Sequence, residues 1–248
     1  MEIKDKKGNI IRTNSISFLL GKMKERGLFK EIIRNDYSSD LSADDAMRVV
    51  DAFGKYRNPK FVIDDENRFT YLNLIKWLHG DASMQCLDMY TKKPVQGSLR
   101  RGVYIAGNTG TGKSWALELI VEYSRLAGLM ITIDGKDERF SWANTSADDI
   151  CTKFSTTGNI DAFKKTSIIG IQDLGAEPLE CCFMGNRLNV LRNVIESRGD
   201  RTDAITLITS NIPMSHPRIE QLYGDRVASR LVEMCNYFEI KGVDRRKL

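Results

Sequence analysis

The sequence predicts an α/β fold: a parallel sheet flanked by helices, carrying a phosphate-binding loop and preceded by a small helical module. Three observations predict it. The octet Gly107-Asn108-Thr109-Gly110-Thr111-Gly112-Lys113-Ser114 fits G-x-x-x-x-G-K-[ST]. From Leu99 onward, short apolar runs rich in β-formers alternate with amphipathic stretches. Before residue 90, apolar residues recur at helical spacing instead.

The octet has the context its chemistry requires. Val103-Tyr104-Ile105-Ala106 before it reads as a buried strand. After it, Trp115, Ala116, Leu119, Ile120, Tyr123, Leu126 and Ala127 recur at helical spacing until Gly128. Glycines let backbone N–H groups curl around phosphate oxygens, and the helix N-terminus adds its positive dipole end. Lys113 is then placed to reach the β- and γ-phosphates, and the Ser114 hydroxyl to ligate Mg²⁺. The motif implies nucleoside triphosphate binding by Gly107 through Trp115.

In chain order, residues 1–14 are polar, with a turn at Gly8-Asn9. Asn14 or Ser15 caps a helix through about Arg26, ended by Gly27. Ser42-Ala43-Asp44-Asp45 resembles a capping box for a second helix bearing Ala46, Val49, Val50 and Phe53. Asn58-Pro59 breaks the chain. Phe69, Leu72, Ile75, Trp77 and Leu78 form a third helix, whose aromatic residues read as core rather than a base-stacking platform. Residues 91–101, with Pro94 and Gly97, read as a linker. The expected division is a helical partner-binding module with linker over 1–95 and the P-loop domain over 96–248.

Within that domain, strands are expected at 129–133, 167–171, 204–208 and 237–240. Helices are expected over Arg187–Arg198 and Arg226–Met234. Residues 135–166 are polar with mixed helical signals. Ligands of such sheets bind at the carboxyl ends of the strands, where the octet, Asp173 and Asn211 all fall.

Composition is that of an ordinary globular protein: 248 residues, 42% apolar and 28% charged. No apolar run approaches a membrane span and the start lacks a signal-peptide region, so a cytoplasmic location without a membrane partner is expected. Five cysteines without a CxxC and two histidines argue against a zinc site and for free, buried thiols. The net charge of +4 is spread along the chain, so any DNA contact must come from a local patch.

Two strand ends complete a hydrolysis site. Ile168-Ile169-Gly170-Ile171-Gln172-Asp173 is an apolar strand ending in polar groups, the arrangement that holds Mg²⁺ and orients attacking water. Ser114 and Asp173 are the candidate metal ligands. Asp134, at another strand end, is a rival that we reject. Thr209-Ser210-Asn211 places a polar side chain where attacking water would be held. In Tyr223-Gly224-Asp225-Arg226-Val227-Ala228-Ser229-Arg230-Leu231, the two arginines are four apart on one helix face. Spacing alone makes them a solvated or ion-paired face.

From Gly107 to Leu231, about 125 residues, these four motifs in this order resemble the AAA+ ATPases of the bacterial helicase-loader clade, the DnaC and DnaI type, whose relatives include the IstB-type transposition ATPases. Gln172-Asp173-Leu174-Gly175-Ala176-Glu177-Pro178 belongs to the match. The resemblance implies an ATPase using ATP and Mg²⁺, with Lys113, Asp173 and Asn211 (a sensor) catalytic. It implies that Arg230 is an arginine finger acting in trans, supported by Arg226, so that the protein self-associates. Two departures stand out. Gln172 occupies the usual metal-binding aspartate's place, and a neutral amide binds Mg²⁺ more weakly than a carboxylate. Either hydrolysis is slow, or Asp173 serves the metal through a water. Only 18 residues follow Arg230, leaving no room for a full C-terminal lid.

The leading expectation is a loader that binds a hexameric replicative helicase and single-stranded DNA during replication initiation. Lys136, Arg139, Lys153, Lys164 and Lys165, with Phe140 and Trp142, occupy the region where the resembled clade inserts a DNA contact. Two alternatives share the motifs: an IstB-like transposition regulator acting on duplex DNA, and a weakly hydrolysing nucleotide-gated adaptor. A small-molecule kinase is disfavoured, since nothing marks an acceptor pocket.

Overall fold

The structure, a computed structural model, describes residues 3–4, 10–11, 16–25, 32–33 and 41–247. The Gly8-Asn9 turn, the cap at Asn14 or Ser15 and the Gly27 stop lie outside the described residues.

A five-stranded, all-parallel sheet organises the molecule. Its order is Cys235–Glu239, Gly102–Ala106, Ile205–Ser210, Ile168–Leu174, Ala143–Ser146. Alternation along each strand sends side chains to two faces. Val103, Ile105, Leu207 and Phe238 join one apolar core, whereas Tyr104, Ala106, Ile208 and Tyr237 join the other. Helices Ala43–Arg57, Arg68–Leu78 and Lys113–Leu126 cover the first face. Helices Ala147–Thr157, Val190–Gly199, Pro217–Tyr223 and Asp225–Met234 cover the second.

Ser42 caps its helix as expected, its hydroxyl accepting from the Asp45 amide at 3.1 Å. That helix and Arg68–Leu78 share a core with the P-loop helix, so packing is continuous across the boundary drawn at residue 95. Trp77, fully buried, packs on Phe140 at 5.0 Å between ring centroids, which settles its role as core.

Four expectations are corrected. Met130–Ile133 is a strand outside the parallel sheet. It pairs antiparallel with Ile32–Ile33 and Lys136–Arg139. The cause is the hairpin at Asp134-Gly135, whose φ values of 52° and 73° suit a tight primed turn. The parallel sheet's edge is instead Ala143–Ser146, too polar and too short to show a strand signature. Residues 91–101 are not a plain linker, because Pro94–Gln96 pairs with Gln85–Leu87. Between the Asp173 strand and helix Val190–Gly199 stands an unforeseen hairpin of Cys181–Phe183 and Asn186–Leu188, turning at Met184-Gly185. All five cysteines are free, but Cys182 is exposed rather than buried.

The second core is anchored by Arg198, which is 1% exposed. Its guanidinium donates to Thr206 Oγ1 at 2.8 Å and to the carbonyls of Phe163, Thr166, Ser167 and Ile205 at 2.7–3.3 Å. It thereby ties helix Val190–Gly199 to the starts of two central strands.

Candidate nucleotide site

The carboxyl ends of the central strands open onto a cavity of about 400 Å³. Thr109 through Trp115, Asp173 and Asn211 line it together. The octet's glycines have steric reasons. Gly110 and Gly112 take φ of 78° and 99°, the left-handed region that glycine adopts without penalty. A Cβ on Gly107 would lie 2.3 Å from the Ile240 carbonyl oxygen. Gly112 hands the chain to the helix that begins at Lys113.

Lys113, 5% exposed, donates its ammonium to the Asn108 carbonyl at 2.8 Å and to Asn211 Oδ1 at 2.7 Å. The expected lysine and the expected sensor thus meet directly. Each residue of Thr209-Ser210-Asn211 has a task. Thr209 Oγ1 accepts from the Asp173 amide at 3.0 Å. Ser210 Oγ donates to the Leu174 carbonyl at 2.6 Å and accepts from the Ile212 amide at 3.0 Å. These bonds fasten two strand ends together and present Asn211 to Lys113.

Asp173 has φ of 57°, left-handed backbone rare for a non-glycine residue. The strand register slips between Ile171 and Leu174 to allow it. This local kink goes with a place for Asp173 on the cavity that Ser114 also lines, and such strain concentrates at functional sites. Glu177 stiffens the following loop by accepting from the Gly175 amide at 2.8 Å and from the Tyr223 hydroxyl. Gln172 does not line the cavity. Asp134 sits at its hairpin turn and does not line the cavity.

Arg226 and Arg230 do not line the cavity either. Arg230 bonds Asp200 at 2.5 Å and Glu233 at 2.8 Å, and Arg226 reaches Asp200 at 3.5 Å. Within one chain they form the ion-paired face that spacing indicated. Phe140 and Trp142, grouped above with a DNA contact, are 1% and 3% exposed and belong to the core. The sheet twist and the hairpin turn their rings inward onto Trp77. Lys136 and Arg139 stay exposed.

The residues that sequence reasoning missed lie at the other end of the cavity: Phe61, Val62, Tyr71, Ile240 and Arg245. Phe61 stacks on Trp115, 5.7 Å between centroids and 23° between planes, giving an aromatic wall. The apolar triplet after Asn58-Pro59 was its one signal. Phe61 rests on Gly54, where a Cβ would come within 2.1 Å of its ring. Gly54→Ala is therefore expected to push Phe61 aside at about 1–2 kcal/mol, weakening nucleotide binding roughly tenfold with Lys113 intact. Equilibrium titration of a fluorescent ATP analogue checks this; unchanged affinity would remove Phe61 from the site.

Arg245 arrives from the chain's end. Its amide donates to the Gly110 carbonyl at 3.0 Å, and its guanidinium grips both Asp64 oxygens at 2.8 and 2.9 Å. Burial works to raise the Asp64 carboxyl, but the Arg245 guanidinium together with the Glu66 and Asn67 amides holds the group below its usual range. Arg245 Nε is buried without a hydrogen-bond partner among the described residues, at the cavity wall.

Sheet order, glycine loop and strand-end residues together define a RecA-like P-loop α/β fold. No family model matches the sequence, and no curated protein matches it. Solved structures do. A protein described as a primosome component from Streptococcus pyogenes serotype M3 superposes with a TM-score of 0.50 at 18% identity, over 74% of this chain and 84% of that one. The DnaC helicase loader gives 0.49 at 16% identity, over 74% and 95%. Domain III of the Thermotoga maritima replication initiation protein DnaA gives 0.47 at 15%, over 76% and 69%. The likeness to the Streptococcus pyogenes structure is one of fold.

Proposed function

We propose that the protein is an ATPase that works as a loader in replication initiation, binding a replicative helicase and single-stranded DNA. The observation that carries the ATPase reading is the convergence of Lys113, Ser114, Asp173 and Asn211 on one cavity beneath the glycine loop. Lys113 would bind the β- and γ-phosphates, exchanging its present partners for them. Asn211 would remain close enough to sense the γ-phosphate, and Asp173 would orient the attacking water. Phe61 and Trp115 give the base an apolar berth, and Arg245 Nε is a buried donor awaiting a ligand acceptor.

Ser114 and Asp173 both line the cavity with oxygen donors, the chemistry that fits Mg²⁺. The ion, when bound, neutralises phosphate charge during transfer. Arg230 is proposed to complete a neighbouring subunit's site, which makes side-by-side assembly part of the mechanism. Residues 1–95 are proposed to grip the helicase, with their two packed helices relaying that contact to the P-loop helix. Exposed Lys136 and Arg139 are the proposed start of a DNA path, and the cytoplasm the place of action. No helix among the described residues is long and apolar enough to cross a membrane.

Gln172 favours one second reading, an adaptor that binds ATP and scarcely hydrolyses it. ATP turnover without DNA, with single strands and with duplex separates the readings. Stimulation by single strands supports the loader; stimulation by duplex alone moves the assignment to a transposition regulator. Tight binding with no turnover under any condition leaves the adaptor.

A further inference from the structure

Three backbone hydrogen bonds fasten the segment 240–245 between the glycine loop and residues 62–67. The Ile240 amide donates to the Ala106 carbonyl at 2.9 Å, the Lys241 amide to the Glu66 carbonyl at 3.4 Å and the Arg245 amide to the Gly110 carbonyl at 3.0 Å. The Arg245 stem runs over the loop, its Cδ 4.0 Å from where a Cβ on Gly112 would stand. Most of its fork is engaged: Nη2 donates to both Asp64 oxygens, and Nη1 to the Val62 carbonyl at 3.3 Å. Asp64 is steadied in turn. Its Oδ1 accepts from the Glu66 amide at 3.1 Å, and its own amide donates to Asn67 Oδ1 at 3.0 Å. Nε is left buried, without a hydrogen-bond partner among the described residues, on a wall of the nucleotide cavity. A buried donor of a charged group is costly to leave unpaired, so a cavity that holds one suits a ligand that brings the acceptor.

We propose that Arg245 is a nucleoside-recognising residue of this site, its Nε donating to an uncharged acceptor of the nucleotide, a ring nitrogen of the base or a ribose oxygen. The inference rests on the nucleotide-binding reading above. Phosphate is the poorer partner for two reasons. The Asp64 carboxylate already balances the guanidinium's charge, and it would repel a phosphate brought beside the pair. The phosphates have their cation in Lys113, whereas Phe61, Val62, Tyr71 and Ile240, which share Arg245's end of the cavity, give the apolar and aromatic lining that suits a base. Because the same guanidinium holds Asp64, the contact ties occupancy of the site to the loop that leads into helix Arg68–Leu78.

The test measures binding of ATP to the full chain by calorimetry, and of inorganic tripolyphosphate by displacement of ATP, with thermal melting alongside. Arg245→Lys keeps a cation for Asp64 but has no donor at the Nε position. It is expected to weaken ATP about tenfold while tripolyphosphate binds as to the wild type. The double variant Asp64→Asn with Arg245→Met removes both charges together and should give the same split, which keeps the test open if Arg245→Lys melts early. 2′,3′-Dideoxy-ATP then locates the acceptor. A tenfold ratio that persists puts it on the base, one that vanishes puts it on a ribose hydroxyl, and either supports the contact. Unchanged ATP affinity would mean that water serves Nε, and an equal loss for tripolyphosphate that phosphate is the acceptor; each overturns the assignment. A wild type that binds neither ligand would instead bring down the nucleotide-site reading, and this inference with it.

Discussion

Arg198→Ala lowers the stability of the protein by about 4 kcal/mol or more, the largest expected loss for any single truncation described here. The wild-type guanidinium serves four carbonyls and one hydroxyl at the ends of helix Val190–Gly199 and two central strands. Alanine takes the guanidinium from all five acceptors, of which the Thr166 and Ser167 carbonyls keep Arg201 Nη1 and the Ile205 amide as donors, and opens a cavity where the side chain lay. Burial lowers the Arg198 pKa to about 10, so the group stays charged at neutral pH and its hydrogen bonds are charge-assisted. Lysine is not a substitute, because its ammonium cannot span acceptors arranged around a planar fork. Urea denaturation at pH 7 provides the measurement. Exposed Arg187→Ala is the control and should change little. A cost for Arg198→Ala near that of the control would show that water satisfies the freed carbonyls and that the anchor is dispensable.

The second large effect concerns turnover. Arg230→Ala should reduce ATP hydrolysis about 10³-fold at concentrations where the protein assembles, with nucleotide affinity unchanged. The affinity should hold because Arg230 does not line its own chain's cavity. In one chain it is occupied by Asp200 and Glu233, and its stem lies against Gly199, where a Cβ would stand 3.0 Å from Cδ. These pairs are solvent-exposed and weak, so a triphosphate brought up by a neighbour can displace them. A mixing experiment gives the decisive readout. On the proposed reading, Asp173→Asn would lack the water-orienting acid but keep its finger, whereas Arg230→Ala would keep a complete site. Each should be nearly inactive alone, and mixing them should recover a measurable fraction of wild-type turnover. A mixture as inactive as its parts, or wild-type turnover by Arg230→Ala, would sink the finger in trans and leave Arg230 an ordinary surface arginine.

How much of this was legible in the residues depended on whether a signal was local. The octet, the apolar strands on either side of it in the sheet and the capping pair Ser42/Asp45 announced themselves because a turn, a period or a cap is written within a few positions. The Ala143–Ser146 edge strand did not, since an edge needs little apolar content and four polar residues have no readable period. The Asp134-Gly135 hairpin carries a local signal too, since that dipeptide after an apolar run favours a turn. Phe140 and Trp142 looked like surface aromatics among basic residues, and only their packing on Trp77 reveals them as core.

The candidate site divides in the same way. The sequence by itself determined the phosphate end: glycines, Lys113 and Ser114 sit at fixed offsets because a loop and a helix N-terminus cradle phosphate within one contiguous segment. Tertiary structure alone decided the aromatic end of the cavity and the acid's orientation. Phe61 and Arg245 are separated by most of the chain and meet only where the sheet brings Ile240 beside Gly107. Asp173 lines the cavity only because Thr209 on the neighbouring strand captures its amide at a slipped register. Gln172 acquires Glu118 as a partner only when the P-loop helix lies along the strand that ends in it. Offsets along a chain can specify a loop, but a contact between distant segments exists only once the core has paired them.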